Sequence, residues 1–202
     1  NQPSGISLSK KNINLILKNA KKFKRFVVID EAYIDFSSRK SCSSLIKKYN
    51  NLIIIKSFSK SIGIAGLRIG YIISNPKIKI VIDAVRPAND VSYFSLAVIK
   101  YFLKNKILWK DYLNEIKKCK KFIKNECEKR KLDFYLSDGN FFHIFLNKKN
   151  IKTARSQFYN KKILVKPTII KNASNTSYSL RITVGTKKEM KVFFKVFDTI
   201  SL

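Results

Sequence analysis

The stretch that decides the fold runs from Ser57 to Arg68 and reads Ser-Phe-Ser-Lys-Ser-Ile-Gly-Ile-Ala-Gly-Leu-Arg. It places one lysine, Lys60, among small and hydroxylated residues soon after the apolar run Asn51–Ile55. A short apolar run bounded by polar residues predicts a buried strand. Lys60 is therefore expected where open α/β sheets bind ligands, at the carboxyl ends of their strands.

A second apolar run, Phe26–Ile29, leads into Asp30-Glu31-Ala32-Tyr33. If both runs are parallel strands of one sheet, their carboxyl ends lie at the same edge. That arrangement brings Asp30 and Tyr33 close to Lys60. One carboxylate, one phenol and one lysine then share an edge with the hydroxyls and the arginine of the first stretch.

These residue types suit pyridoxal phosphate as a cofactor. A pocketed lysine such as Lys60 can hold an aldehyde as a Schiff base once its amine is neutral. The Asp30 carboxylate would stabilise a protonated pyridine nitrogen, and the Tyr33 hydroxyl would hydrogen-bond the phenolic oxygen. The donors expected for the phosphate are Ser57, Ser59 and Arg68.

The order Asp30-x-x-Tyr33, Ser57-x-Ser59-Lys60, Arg68 resembles the core of the fold-type I aminotransferases of class I and II, which use pyridoxal phosphate. The phrasing around Asp30–Phe36 and Ala65–Tyr71 is most similar to the histidinol-phosphate aminotransferases. The resemblance covers essentially the whole chain. It implies a transaminase of histidine biosynthesis that moves an amino group between an amino acid or a phosphorylated amine and a 2-oxo acid.

The resemblance also implies roles for single residues. Lys60, Asp30 and Tyr33 would be catalytic, and Arg181 in Leu180–Thr186 would hold the substrate carboxylate. The Gln2-Pro3-Ser4-Gly5 turn resembles the Asn-Pro-(Thr/Ser)-Gly turn of the family, which implies that the Gln2 amide contacts the cofactor. Lys166 stands where the family places a substrate-binding arginine, so it would meet a substrate phosphate as a point charge.

The pattern along the chain predicts an α/β fold in two domains. Residues 1–104 are expected to be the C-terminal part of a cofactor-binding large domain, a mostly parallel sheet with flanking helices. Residues 105–202 are expected to be a small α+β C-terminal domain. The resemblance further implies that the chain is the C-terminal half of a longer enzyme, which is a cytoplasmic homodimer. Predicted helices span about 9–23, 92–103, 107–131 and 187–199, and predicted strands span about 26–30, 52–56, 68–73, 134–136, 141–146, 163–166 and 179–184.

The composition is strongly basic, with a net charge of +29, but it does not indicate a nucleic-acid partner. Only seven of the 42 basic residues are arginine, and the lysines are spread along the chain. Nucleic-acid surfaces usually cluster charge and favour arginine. Three irregularly spaced cysteines and the single histidine, His143, form no metal-site or disulfide pattern. No apolar run approaches the length that spans a bilayer, so we expect no membrane partner.

Two other functions remain open at this point. One is a different pyridoxal-phosphate reaction on the same fold, such as that of the threonine-phosphate decarboxylases, which this chain also resembles. The other is a basic binding module without catalysis, which would leave the order of Asp30, Lys60 and Arg68 unexplained. Single residues also have structural interpretations, since Asp30 could cap a helix and His143 could be a packed strand residue.

Overall fold

The computed structural model describes residues 2–88, 90–171 and 176–200, which divide into two compact units. The N-terminal unit comprises residues 7–112, and the C-terminal unit comprises residues 113–200 together with residues 2–6. The helices are α1 (Lys10–Lys22), α2 (Phe58–Ser61), α3 (Pro76–Val85), α4 (Tyr93–Lys104), α5 (Lys106–Lys129), α6 (Lys148–Asn160) and α7 (Lys187–Phe197). The strands are β1 (Val27–Asp30), β2 (Leu52–Ser57), β3 (Gly70–Ser74), β4 (Phe134–Leu136), β5 (Phe141–Phe145), β6 (Lys166–Lys171) and β7 (Thr176–Thr183).

The N-terminal unit contains a three-stranded sheet in the order β1-β2-β3. As predicted, β1 and β2 are parallel, with Asp30 opposite Ile55. The third strand is antiparallel to β2, which the sequence did not predict. The connection between β2 and β3 holds only the short helix α2 and a 3-10 turn at Ala65–Leu67. It lacks the long crossover that a parallel neighbour would need, so the chain reverses.

One face of this sheet forms the core of the N-terminal unit. Leu52 and Ile54 of β2 are fully buried there, together with Leu17 of α1 and Tyr49. Ser9 caps helix α1, because its hydroxyl accepts a hydrogen bond from the Asn12 amide at 3.1 Å.

The opposite face of the sheet is apolar but exposed. Val28, Ile55 and Ile72 are 57%, 39% and 46% exposed. They lie on one face because Ile55 is the direct partner of Ile72, while Val28 is two residues before Asp30, the partner of Ile55. Among the described residues, this face of β1, β2 and β3 therefore has little cover.

The C-terminal unit contains a four-stranded antiparallel sheet in the order β4-β5-β7-β6. Alternate residues of its central strands point into an aromatic core formed with α6 and α7. Phe158 and Phe193 stack with ring centroids 5.1 Å apart, and Phe142 meets Phe193 edge-on at 5.9 Å. All three rings are at most 2% exposed, so this cluster accounts for much of the buried apolar surface of the unit.

Most of the predicted elements are confirmed, but β6 has other bounds, and the helices α2, α3 and α6 were not predicted. The strand predicted at 163–166 instead begins at Lys166 and continues to Lys171. Asn75 and Asn147 cap α3 and α6 through their side-chain oxygens. The compact units do not test the predicted domain limits at 104 and 105, which remain a prediction.

Replacing Phe193 by alanine should lower the free energy of unfolding of the C-terminal unit by about 3–5 kcal/mol, because the stacked core would lose a large side chain and gain a cavity. Denaturant unfolding followed by near-ultraviolet circular dichroism measures the effect. The matched control is Val192→Ala, since the neighbouring Val192 side chain is 52% exposed and should cost little. Similar losses for both variants would contradict this description of the core.

Candidate active site

Three strand ends of the N-terminal unit meet at one edge of its sheet. β1 ends at Asp30 and the parallel β2 ends at Ser57, while the antiparallel β3 begins at this edge, with Gly70 opposite Ser57. The predicted cofactor residues of this unit all lie at or just beyond these ends. We call them the cofactor group: Asp30, Tyr33, Ser57, Ser59, Lys60 and Arg68.

The structure brings Lys60 and Tyr33 together. The Lys60 ammonium lies 5.6 Å from the centroid of the Tyr33 ring. Tyr33 is buried and Lys60 is half-buried in the short helix α2. The lysine of α2 therefore lies next to the phenol that follows β1, as the sequence predicts.

Asp30 and Ser57 lie at the ends of neighbouring strands, and each side chain organises its own turn. The exposed Asp30 carboxylate accepts a hydrogen bond from the Ala32 amide at 2.8 Å. The Ser57 hydroxyl accepts from the Ser59 amide at 3.1 Å and caps α2. Asp30 therefore closes a turn and does not cap the 3-10 helix at Ile34–Phe36, whose N-cap is Tyr33. Its second carboxylate oxygen can accept from another donor.

Arg68 stands at the entry to β3 in a left-handed backbone conformation, with φ of 50°. A positive φ is uncommon for a residue with a side chain and costs conformational energy. The exposed Arg68 guanidinium donates one hydrogen bond to the Ala65 carbonyl at 3.1 Å. Its remaining N–H donors can serve an anion.

Sequence reasoning missed Glu31, which is the buried carboxylate of this edge. Its oxygens accept hydrogen bonds from the Ser41 hydroxyl at 2.7 Å and the Cys42 amide at 2.6 Å. The Lys56 ammonium lies 3.4 Å from one of them. Strand alternation was the available signal, because Glu31 continues the covered phase of Val27 and Ile29.

In the C-terminal unit, the structure pairs Arg181 with Lys166. They are direct cross-strand partners on β7 and β6, so their side chains project from the same face of the sheet. The Arg181 guanidinium carbon lies 5.1 Å from the centroid of the Phe141 ring, which supports it from one side. We call Arg181 and Lys166 the cationic pair. Like charges placed opposite each other are unfavourable alone, so the arrangement favours an anionic ligand.

His143 is the other cross-strand partner of Arg181 and is fully buried, in keeping with the packed role considered from the sequence. Burial is the main cause that lowers the pKa of His143 below its ordinary value, and the Arg181 charge lowers it further. A hydrogen bond from the ring to the Pro3 carbonyl acts in the opposite direction. Gln2, the remaining predicted cofactor residue, precedes Pro3 in this C-terminal unit.

A family model described as "Aminotransferase class I and II" matches residues 1–197 of the chain. The chain belongs to this family. The match covers the strand ends that carry the cofactor group as well as the strands that carry the cationic pair.

Individual aminotransferases agree with this assignment. The histidinol-phosphate aminotransferase of Christiangramia forsetii is 35% identical over 99% of this chain, and the match covers 56% of that protein. A second histidinol-phosphate aminotransferase, from Archaeoglobus fulgidus, is 31% identical over 94% of this chain and 53% of its own length. The chain thus spans about half the length of the curated relatives that it matches.

A solved structure supports the fold. The histidinol-phosphate aminotransferase of Sinorhizobium meliloti, in complex with pyridoxal-5'-phosphate, superposes with a TM-score of 0.83 over 98% of this chain and 55% of its own. At 20% identity, the likeness shows the fold alone. The α/β fold expected from the sequence is confirmed.

Two features are absent from the described residues, 2–88, 90–171 and 176–200. None of the helices in those ranges is both long and apolar enough to cross a membrane. Within the same ranges, no group of three or more His, Cys, Asp or Glu side chains is arranged to hold a metal ion.

Replacing Glu31 by alanine should lower the free energy of unfolding of the N-terminal unit by about 3 kcal/mol, because Lys56 would lose its counter-ion and Ser41 and Cys42 would lose their acceptor. The single tryptophan, Trp109, lies in this unit and reports its unfolding in urea by fluorescence. The control is Asp30→Ala at the exposed residue next to Glu31. It removes one turn hydrogen bond, to the Ala32 amide, and should cost less. Equal losses for the two variants would show that the buried network does not stabilise the unit.

Proposed function

We propose that this chain carries the cofactor lysine and the substrate-binding cations of a pyridoxal-phosphate-dependent aminotransferase similar to histidinol-phosphate aminotransferase. Its substrates are an amino acid or a phosphorylated amine and a 2-oxo acid. The whole enzyme acts as a homodimer in the cytoplasm, as the family resemblance implies. The observation that carries the proposal is the position of Lys60 beside Tyr33. Both lie at the sheet edge where β1 ends with Asp30 and β2 ends with Ser57.

The donor set of the cofactor group fits pyridoxal phosphate. Lys60 offers an amine for the aldehyde, Asp30 offers an anion for the ring nitrogen, and Tyr33 offers a hydroxyl for the ring oxygen. Ser57, Ser59 and Arg68 combine neutral and charged donors suited to a phosphate. The exposed Arg68 has donors beyond the one that it gives to Ala65.

When bound, pyridoxal phosphate supplies an electron sink that eases removal of the proton from the α-carbon of an amino acid. With the cofactor bound, Lys60 Nζ would take up that proton as general base and return it as general acid. The Asp30 carboxylate holds a proton on the ring nitrogen by favouring the cationic form. Tyr33 orients the lysine nitrogen through its ring.

The cationic pair can meet two kinds of anionic group, a carboxylate and a phosphate. Arg181 presents a planar fork that matches a carboxylate in two-point contact, and the Phe141 ring limits its motion. Lys166 presents a compact charge on the same face, which suits a phosphate without fixing its orientation. This arrangement supports a phosphorylated amine as one substrate.

The covalent role of Lys60 predicts a residue-specific label. Incubation with pyridoxal phosphate and then borohydride should attach a pyridoxyl group to Lys60, and visible absorbance should appear before reduction. Lys60→Arg should abolish both signals, because a guanidinium keeps its charge and cannot attack the aldehyde. The matched control is Lys77→Arg, at an exposed lysine in the same unit. Peptide mapping that places the label on another lysine would refute the assignment.

The cationic pair predicts different effects of two opposite substitutions on the cofactor-loaded chain. Arg181→Lys should weaken glutamate binding about tenfold, since an ammonium cannot reproduce the two-point contact. Lys166→Arg should maintain or tighten binding of histidinol phosphate. Calorimetric titration measures both, with the exposed Arg155→Lys as the control. Release of carbon dioxide from threonine phosphate would instead favour the decarboxylase alternative.

A further inference from the structure

The single histidine of the chain lies between two groups for which the proposed function needs a fixed geometry. His143 sits in the middle of β5, with Arg181 as its direct partner on β7. Its ring also reaches the N-terminal segment, where it contacts the Pro3 carbonyl next to Gln2. One side chain thus touches the Gln2–Pro3 turn and neighbours the strand position of Arg181.

The partners of His143 define its protonation state. Nε2 lies 3.1 Å from the Pro3 carbonyl oxygen, which can only accept, so Nε2 carries the hydrogen. Nδ1 lies 2.8 Å from the Ser179 hydroxyl. That hydroxyl has its other acceptor, the Thr168 carbonyl, at the longer distance of 3.5 Å, so its hydrogen goes to Nδ1. Both ring nitrogens have a hydrogen-bond partner, and burial lowers the pKa of His143, which favours the neutral ring with its hydrogen on Nε2.

A second contact fixes the same segment two residues later. The Gly5 carbonyl accepts a hydrogen bond from the Asp138 amide at 2.9 Å. Gly5 has a φ of 74°, and a Cβ added to it would lie 2.2 Å from the Ser137 Cβ. Only glycine permits this approach. The backbone from Pro3 to Gly5 is therefore held at both ends, by His143 on one side and by residues 137–138 on the other.

A buried strand position beside phenylalanines would ordinarily hold an apolar side chain. The rings of Phe141 and Phe145 lie 5.6 and 6.2 Å from the His143 ring. A polar ring at such a position is tolerated only when its hydrogen-bonding groups are satisfied. Here the Nε2 donor satisfies a main-chain carbonyl that an apolar residue would leave without this partner. The histidine thus does something that a phenylalanine or leucine could not.

We propose that His143 is a positioning residue that holds the Gln2–Pro3 turn in a fixed place relative to Arg181 within the C-terminal unit. This inference rests on the proposed function, because Gln2 and Arg181 have their cofactor and substrate roles only within it. In this role His143 acts through the turn and not by contact with the cofactor or the substrate.

The protonation state can be tested on the unmodified chain. Because the chain has one histidine, long-range 15N–1H correlation spectra give its tautomer without an assignment problem. The expected result at neutral pH is an uncharged ring protonated on Nε2. A ring protonated on Nδ1 alone would overturn the proposal, because Nε2 could not then donate to the Pro3 carbonyl.

Anchoring of the turn is tested by a pair of substitutions and a control. His143→Phe keeps a ring but removes the donor, whereas His143→Gln keeps an N–H donor near the Nε2 position. Ser179→Ala removes the Nδ1 partner and leaves the Nε2 donor. Amide hydrogen exchange at Asp138, which donates to Gly5, should accelerate about tenfold in His143→Phe and much less in the other two. Unchanged exchange in a folded His143→Phe would overturn the proposal. If that variant fails to fold, fast exchange in His143→Gln would overturn it.

The link to the cofactor is tested by a double-mutant cycle on pyridoxal phosphate affinity. Gln2→Ala and His143→Phe should each weaken binding several-fold, and the double variant should be no weaker than either. His143→Gln should restore most of the affinity. Additive losses, or no loss in His143→Phe, would overturn the positioning role. If the unmodified chain binds no pyridoxal phosphate, the proposed function fails and this role with it, while hydrogen exchange still decides whether His143 holds the turn.

Discussion

The parallel pairing of β1 with β2 is the constraint on which the candidate site depends. It places Asp30 and Ser57 at the ends of neighbouring strands, and every other member of the cofactor group follows one of those ends or precedes β3. The ion pair between Glu31 and Lys56 links the ends of these two strands on the covered face of the sheet. A shift of one residue in this register would send Asp30 to the covered face and Glu31 to the exposed one.

The C-terminal unit uses its sheet on both faces. One face packs against the aromatic core around Phe193, and that contact explains the apolar phase of β5 and β7. The other face holds a row of polar residues across the strands, from Tyr135 through His143 and Arg181 to Lys166. In this row His143 is buried, and Lys166 on the edge strand β6 is exposed. The same sheet therefore combines a rigid support with a charged, accessible border.

The sequence predicted much of the fold and the position of Asp30, Tyr33 and Lys60 at one edge of the sheet, because apolar runs and their polar ends are local signals. It did not predict α6, whose start lies directly after β5 and whose lysines and asparagines hide a narrow apolar face. The sequence predicted a strand at 163–166, but only Lys166 of that range lies in β6. The apolar residues Ile163, Leu164 and Val165 are typical of a strand, yet they come before the segment that pairs with β7. The structural role of Glu31 was not predicted, because the sequence alone does not show which of the adjacent carboxylates, Asp30 or Glu31, lies on the covered face of the sheet. The role of His143 depends on a contact with Pro3, far away in sequence, which no local pattern reveals.

The exposed apolar face of the first sheet has a consequence for handling the chain in solution. β1 is an outer strand of that sheet, and beside it Val28, Ile55 and Ile72 offer a hydrophobic surface to another copy. The net charge of +29 opposes such contact by mutual repulsion between chains. Added salt screens this repulsion over about 10 Å at 0.1 M ionic strength and leaves the apolar attraction intact. The isolated chain should therefore remain dispersed in dilute buffer and precipitate as salt is raised, opposite to the salting-in usual for a protein near neutrality.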